Sequence, residues 1–172
     1  MMGIFHRIMD KLGRHRLITN SRTGADYLHR YYLFLKNRTW FPVNVALHTI
    51  VQSDDPIFHN HPWPYLTIIL KGGYYEHTPL FNVAGEKFAE ICHWRGPGSI
   101  IWRKAKEFHW LELENNKSVT TLFFMGVRSQ EWGFLVEAKK NKHRWVKHTH
   151  YLTSWKPYHA KYIASRNKAN SK

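Results

Sequence analysis

Apolar and polar residues alternate along the middle of the chain with the period of two that is typical of β-strands. One run spans residues 43–48 and a second spans residues 65–70, and in both every second residue is Val, Leu or Ile. Because no helical pattern separates the runs, the sequence predicts an all-β body of antiparallel strands, closed as a barrel or sandwich. Turn signals stand between the predicted strands: Asp54-Asp55-Pro56, Gly72-Gly73, Gly85, Gly96-Pro97-Gly98 and Asn115-Asn116.

Near the N-terminus, apolar residues recur at the spacing of an α-helix instead. This spacing, with Arg and Lys between the apolar positions, predicts a short basic amphipathic helix. We expect the helix to pack against the β-body, since about three turns offer little area to a lipid surface. The apolar positions are Ile4, Phe5, Ile8, Met9 and Leu12.

Length and composition place the chain among folded, single-domain proteins. It has 172 residues, of which 43% are hydrophobic and 16% aromatic, enough to bury a core. The single cysteine, Cys92, excludes an intramolecular disulfide and a cysteine-based zinc finger, which suits a reducing compartment. No apolar run approaches the roughly 18 residues of a membrane span, and a signal-peptide pattern is missing. We therefore expect a cytoplasmic protein that does not enter a membrane.

The formal net charge of +14 is carried by the two ends of the chain. Residues 1–40 carry +6, residues 41–137 carry −2 and residues 138–172 carry +10. We divide the chain accordingly into a basic helix with a lead-in strand, a near-neutral barrel, and a basic, aromatic-rich C-terminal extension. Cations and aromatic rings alternate in this extension, from Lys139 to Trp145 and beyond, as suits a nucleic-acid partner. A solvated segment whose Trp145 packs on the barrel is the alternative.

Two histidines at alternate positions, His59 and His61, are the first indication of chemistry. On a strand they point to the same face, where one cation can accept both imidazoles. The spacing alone leaves a second interpretation open. The chain has 13 histidines, so chance pairs of hydrogen-bonded structural histidines are frequent.

The surroundings of this pair resemble the two motifs of the cupin superfamily. The first family motif is Gly, five residues, His-x-His, three or four residues, Glu, six residues and Gly; the second is Gly, five residues, Pro-x-Gly, two residues and His. Here Gly72-Gly73 follows His59-x-His61 at the first-motif distance, and Gly98 precedes His109 at the second-motif distance. Further patterns resemble small cupin-like proteins of bacteria and phages: His-x-His-Pro-Trp, Ile-Leu-x-Gly-Gly-Tyr, Arg-x-Ala, His-x-x-Glu-Leu and Glu-Trp-Gly-Phe.

The resemblance implies a cupin-type double-stranded β-helix, that is, a jelly-roll barrel, over roughly residues 40–135. It also implies one divalent transition metal held by His59, His61 and His109, with Fe first and Zn, Ni, Mn or Cu as alternatives. Dioxygenase-type chemistry on a small anionic substrate is the use that we favour. Cupins often pair through their sheets, so a homodimer is one expected assembly.

The chain departs from the family pattern where the metal-binding glutamate belongs, because Tyr65 or Leu66 stands there. Lys104 and Lys106 replace the Pro and Gly of the second motif. Three histidines remain of the usual ligand set. Glu76, on the next predicted strand, is an alternative carboxylate.

Other candidate residues lie close to the histidines in sequence. Tyr65 and Tyr74 can donate a proton or a hydrogen bond at the mouth of the site, with ordinary packing as the alternative. Arg103, Lys104 and Lys106 lie just before the third histidine and are predicted to hold a carboxylate or phosphate of the substrate. A solvated strand edge is the other interpretation of these cations.

Two further functions stay open at this point. One is a metal-free sugar-nucleotide isomerase or epimerase of the cupin kind, in which a His and a Tyr exchange protons with the substrate. The other is a non-enzymatic nucleic-acid-binding protein that uses both basic ends.

Overall fold

A computed structural model describes residues 3–20, 23–36, 41–137 and 143–151. They form an N-terminal helix, a barrel of short strands, a 3-10 turn and a short final helix. In chain order the elements are α1 (Ile4–Lys11), β1 (His15–Thr19), β2 (Asp26–Tyr32), β3 (Asn44–Ile50), β4 (Tyr65–Lys71), β5 (Tyr74–Phe81), β6 (Lys87–Arg95), β7 (Ile100–Arg103), β8 (Trp110–Leu113), the 3-10 turn (Glu114–Asn116), β9 (Val119–Met125), β10 (Gly133–Glu137), β11 (His143–Lys147) and α2 (His148–His150).

Antiparallel pairing organises these strands into three sheets. A six-stranded sheet has the order β1-β2-β3-β9-β4-β7, a three-stranded sheet the order β6-β5-β8, and β10 pairs with β11. Side chains of the two larger sheets meet in one core, where Leu28 and Ile50 pack in the same cluster as Tyr74 and Leu113. The prediction of an all-β antiparallel body is confirmed.

Buried polar side chains share the inward face of the central strands with apolar ones. In β3, Asn44 and His48 are buried on the same face as Ile50, whereas Val45 and Leu47 are only partly covered. His48 and Thr121 of β9 line a cavity of about 310 Å³ inside the barrel. The amide of Asn44 instead bonds to the backbone N–H and carbonyl of Leu35, at 3.0 and 2.9 Å.

The predicted N-terminal helix is present as α1, and it contacts the barrel through a narrow strip. Met9 is its buried residue, while Ile4, Ile8 and Leu12 are 78%, 51% and 56% exposed. Most of its apolar residues therefore do not pack on the β-body. Among the described parts of the chain, no helix is long and apolar enough to cross a bilayer.

One part of the predicted C-terminal extension folds back onto the barrel. β11 pairs with β10 along its whole length, and Val146 is buried in a cluster with Ile57 and Val136. Trp145 lies against Gly133, where a Cβ atom would come within 2.4 Å of the indole ring. The remainder of the extension, and with it most of the predicted nucleic-acid surface, lies outside the described residues.

Gly72 and Gly85 have nearly the same positive φ but different surroundings, so replacing each one measures how closely the β4–β5 turn packs. Gly72 has φ +74° and Gly85 has φ +75°, but a Cβ atom on Gly72 would lie 2.7 Å from the carbonyl oxygen of Ser118, whereas Gly85 has open space around it. Gly85→Ala should cost about 1 kcal/mol through its left-handed conformation alone. Gly72→Ala should cost about 2 to 4 kcal/mol, because the clash adds to that strain. Urea unfolding measures both, and equal losses would contradict the close approach.

Candidate metal centre

Backbone pairing brings two distant histidines together. The N–H of His59 donates to the carbonyl of His109 at 2.9 Å, and the N–H of His109 donates back at 3.0 Å. His59 also pairs with Phe134 of β10, so it bridges two strands. Since directly paired residues project to the same face, their imidazoles lie side by side inside the barrel.

Neighbouring amides fix the segment that carries His61. The side chain of Gln130 donates to the carbonyl of His61 at 2.9 Å and to that of Ala105 at 2.6 Å. Between the two histidines, the buried Asn60 accepts a hydrogen bond from the N–H of Gly133 at 2.8 Å. The backbone that presents the imidazoles is therefore held independently of any ligand.

One nitrogen from each of His59, His61 and His109 lies within 4.8 Å of the others. The Nε2 atoms of His61 and His109 are 2.9 Å apart. Ligand nitrogens about 2 Å from a tetrahedral zinc ion lie about 3.3 Å from each other, so a small adjustment would seat one ion among the three. Three neutral imidazoles suit Fe, Zn, Cu or Ni and leave coordination positions open. The residues therefore fit the metal that the sequence predicts.

The buried carboxylate of Glu76 orients the third histidine. Arg95 and Arg103 donate to it at 3.0 and 2.9 Å. Burial alone would raise the pKa of Glu76, but the hydrogen bonds from His109 and Arg103 outweigh it and hold the pKa well below its usual range. The carboxylate is thus ionised, and its 3.2 Å contact makes Nδ1 of His109 the donor. This leaves Nε2 of His109 as the ligand atom, and it places Glu76 behind the histidine cluster rather than in it.

Burial keeps the other two imidazoles neutral. It lowers the pKa of His59 to about 4, and the neighbouring His109 lowers it further while Asp54 opposes the shift. Burial likewise lowers the pKa of His61 well below its usual value, with His109 and His59 adding to the effect. Neutral imidazole is the form that binds metals, so both side chains are ready to act as ligands at neutral pH.

Tyr65 stands at the place where the family pattern has its glutamate. Its hydroxyl lies 3.2 Å from Nε2 of His109, and its ring packs on Phe123. Burial raises its pKa well above the usual value, and the charge of Glu76 raises it further, so the phenol stays protonated. Tyr74 also lines the cavity and is buried. Both predicted tyrosines therefore border the histidine cluster or the space in front of it.

A row of polar side chains crosses the cavity wall on the six-stranded sheet. Arg16 of β1 lies opposite Arg30 of β2, and Arg30 lies opposite His48 of β3. Thr121 of β9 continues the row, and all four residues line the cavity. Nε of Arg30 donates to Nε2 of His48 at 3.0 Å. Because like charges on opposed strand positions repel, an anion bound between the two arginines would stabilise this wall.

The three cations predicted to hold the substrate lie elsewhere. Arg103 contacts Glu76, and Lys104 and Lys106 are exposed. None of the three is among the residues that line the cavity. Proximity in sequence to His109 thus does not bring these side chains into the space in front of the histidines.

Several cavity residues were not predicted from the sequence. Besides Arg16 and Arg30, they include Asp54, which accepts hydrogen bonds from the Tyr27 hydroxyl and from the N–H of Leu111. The sequence does indicate that Arg30 shares a strand face with Leu28, because it follows Leu28 by two residues in a run that alternates like a strand. That signal cannot be used without knowing that β2 pairs with β3.

The comparisons with known proteins show a remote structural likeness. No protein-family model and no curated protein sequence matches the chain. The polyketide cyclase RemF from Streptomyces resistomycificus is 16% identical with a TM-score of 0.51, over 82% of this chain and 90% of that one. A cupin-2 domain from Rhodospirillum rubrum is 11% identical with a TM-score of 0.49, over 74% of this chain and 78% of that one.

The chain shares the overall fold of the cyclase RemF. The hydroxypropylphosphonic acid epoxidase from S. wedmorenis also matches, at 10% identity and a TM-score of 0.46, over 64% of this chain. The match spans 55% of the epoxidase chain, little more than half its length. At these identities the likeness concerns the fold alone, so the chemistry has to be argued from the residues of this chain.

The buried histidines predict how the stability of the metal-free protein depends on pH. The folded-state pKa of His59 is about 4, below the unfolded value of 6.5, so the unfolded chain binds protons first as the pH falls. Stability is therefore complete above pH 6.5 and is lost down to about pH 4, with roughly 3 kcal/mol from this side chain.

Urea unfolding in a chelator at several pH values measures this loss. His59→Asn should reduce the dependence between about pH 6.5 and 4 by the share of this side chain, while the buried His61 keeps its own contribution. The exposed His93 offers a control, His93→Asn, that should leave the dependence unchanged. Equal slopes in the two variants would contradict the assignment.

Proposed function

We propose that this protein is a metal-dependent enzyme whose ion is held by His59, His61 and His109 and whose substrate is a small anion in the barrel. The observation that carries the proposal is the position of the three imidazoles, since all three line the same cavity as Arg16 and Arg30. A metal, the half-buried Arg30 and the exposed Arg16 around one cavity suit a substrate that bears a carboxylate or phosphate.

When bound, the ion would supply Lewis acidity and, if it is iron, one-electron chemistry with dioxygen. We favour iron and oxidative chemistry of the dioxygenase type, with Zn, Ni, Mn and Cu as the other outcomes of metal analysis. The open positions that three facial histidines leave are the support for this choice.

The remaining roles fall to residues of the chain itself. Arg30 and Arg16 hold the anionic group of the substrate, and Tyr65 donates a hydrogen bond from a phenol that burial keeps protonated. Glu76 is a positioning residue, because it acts on the site through Nδ1 of His109.

Metal binding tests the ligand set directly. The full chain, produced without an affinity tag, should hold a divalent metal, and His61→Ala should bind one equivalent less than the wild type. We expect the affinity at this site to fall by at least about 100-fold, since even removal of an outer partner of a ligand typically costs 10- to 100-fold. The control His93→Ala alters an exposed histidine of β6 and should keep the full complement. Equal metal content in wild type and His61→Ala, with the fold verified by circular dichroism, would refute the site.

Anion binding tests the assignment of the substrate contacts. Titration of the metal-free chain with inorganic phosphate should show about tenfold or greater weakening in Arg30→Gln, because a charged hydrogen-bond partner is lost. Lys104→Gln removes an exposed cation outside the cavity and should change the affinity by less than about twofold. The reverse order of effects would favour the sequence-based prediction of Arg103, Lys104 and Lys106.

A second candidate function is favoured by one contact. The hydroxyl of Tyr65 lies 3.2 Å from Nε2 of His109 and both residues line the cavity, so a Tyr and a His could both reach a sugar-nucleotide substrate there to exchange protons with it. An isomerase or epimerase of this kind would keep its activity in a chelator and lose it in Tyr65→Phe. Loss of activity on chelation would favour the metal-dependent enzyme.

A further inference from the structure

We propose that the N-terminal helix and the outermost hairpin hold a second divalent transition-metal ion of the zinc class through His6, His15 and His29. The three histidines come from three elements, α1, β1 and β2, and one nitrogen of each lies within 4.8 Å of the others. None of them is among the residues that line the barrel cavity. The site is therefore separate from the candidate metal centre.

The spacing of the rings suits ligands of one ion. Nε2 of His15 lies 3.1 Å from Nδ1 of His29, close to the about 3.3 Å that separates two nitrogens on a tetrahedral zinc ion. The ring of His6 lies 4.6 Å from that of His15, measured between centroids, and 6.0 Å from that of His29.

Two further side chains hold the nitrogens that face away from the proposed ion. Oδ1 of Asp10 lies 2.9 Å from Nδ1 of His15, and the hydroxyl of Tyr31 lies 2.7 Å from Nδ1 of His6. A carboxylate on the second nitrogen of a histidine fixes its tautomer and makes the ring a stronger ligand, an arrangement common around zinc. Nε2 of His6 and Nε2 of His15 are thereby left as the ligand atoms.

The position of the site explains what the ion would do. β1 is an edge strand, and α1 contacts the hairpin through Phe5 and His6, both beside Tyr31, while Ile4, Ile8 and Leu12 are largely exposed. An ion bound to one residue of the helix and two of the hairpin would fix α1 in place with only a small apolar interface. Because the three histidines are only partly buried, solvent can supply the remaining ligand.

Zinc titration of the full, untagged chain by calorimetry tests the proposal. Two sets of variants separate the sites, since His15→Ala and His6→Gln alter this cluster and His61→Ala alters the barrel cluster. We expect His61→Ala to keep one saturable equivalent of Zn²⁺, and His61→Ala/His15→Ala to lose it. Asp10→Asn in the His61→Ala background should weaken binding by about tenfold, and His93→Ala should change nothing.

The outcomes distinguish failure of this site from failure of the barrel site. Should His61→Ala bind as much zinc as the wild type, the barrel site is refuted, and a loss in His15→Ala or His6→Gln still supports the N-terminal site. Zinc should also raise the melting temperature of His61→Ala but not that of His61→Ala/His6→Gln. His6→Gln is a conservative change on the helix, so it should leave the fold intact. Unchanged zinc binding in both His15→Ala and His6→Gln, or binding only at millimolar zinc, overturns the proposal.

Discussion

The buried carboxylate of Glu76 is the interaction on which both the barrel and its site depend. An ionised carboxylate away from water is costly unless its oxygens have charged or hydrogen-bonded partners. Arg95 comes from β6 of the three-stranded sheet, Arg103 from β7 of the six-stranded sheet, and His109 from the residue before β8. One charge therefore joins the two sheets and sets the tautomer of a metal-site histidine, so the spacing of the sheets and the geometry of the site are coupled.

The cavity imposes a second constraint, because polar side chains share the inner face of the barrel with apolar ones. In β3 the aliphatic Val45 and Leu47 are partly exposed, while Asn44 and His48 are buried on the same face as Ile50. Period-two alternation and turn residues are local properties, so the strands and the all-β class are predictable from sequence. The inner face of β3 is not predictable in this way, because aliphatic residues normally mark the core, whereas here His48 borders the cavity.

The candidate site is likewise predictable only where a local sequence pattern specifies it. The pair His59 and His61 is visible as two histidines at alternate positions, and His109 joins it through the resemblance to the two family motifs. The opposed pair Arg16 and Arg30 depends on the register between β1 and β2, which no local pattern specifies. Their segment was predicted to be a basic helix with a lead-in strand, and its strands β1 and β2 bring both arginines to the cavity lining.

The two histidine clusters differ in what must be ordered before an ion can bind. In the barrel, the paired backbones of His59 and His109 and the amide of Gln130 hold the ligands in place, so binding adds little conformational cost. At the N-terminal edge, His6 lies on a helix with few contacts to the barrel, since Met9 is its buried residue and Phe5 and His6 contact Tyr31. Binding there includes the docking of α1, and part of the metal-binding free energy is used to order that helix. The same donor chemistry therefore gives a preformed site within the barrel and a site coupled to folding at its edge.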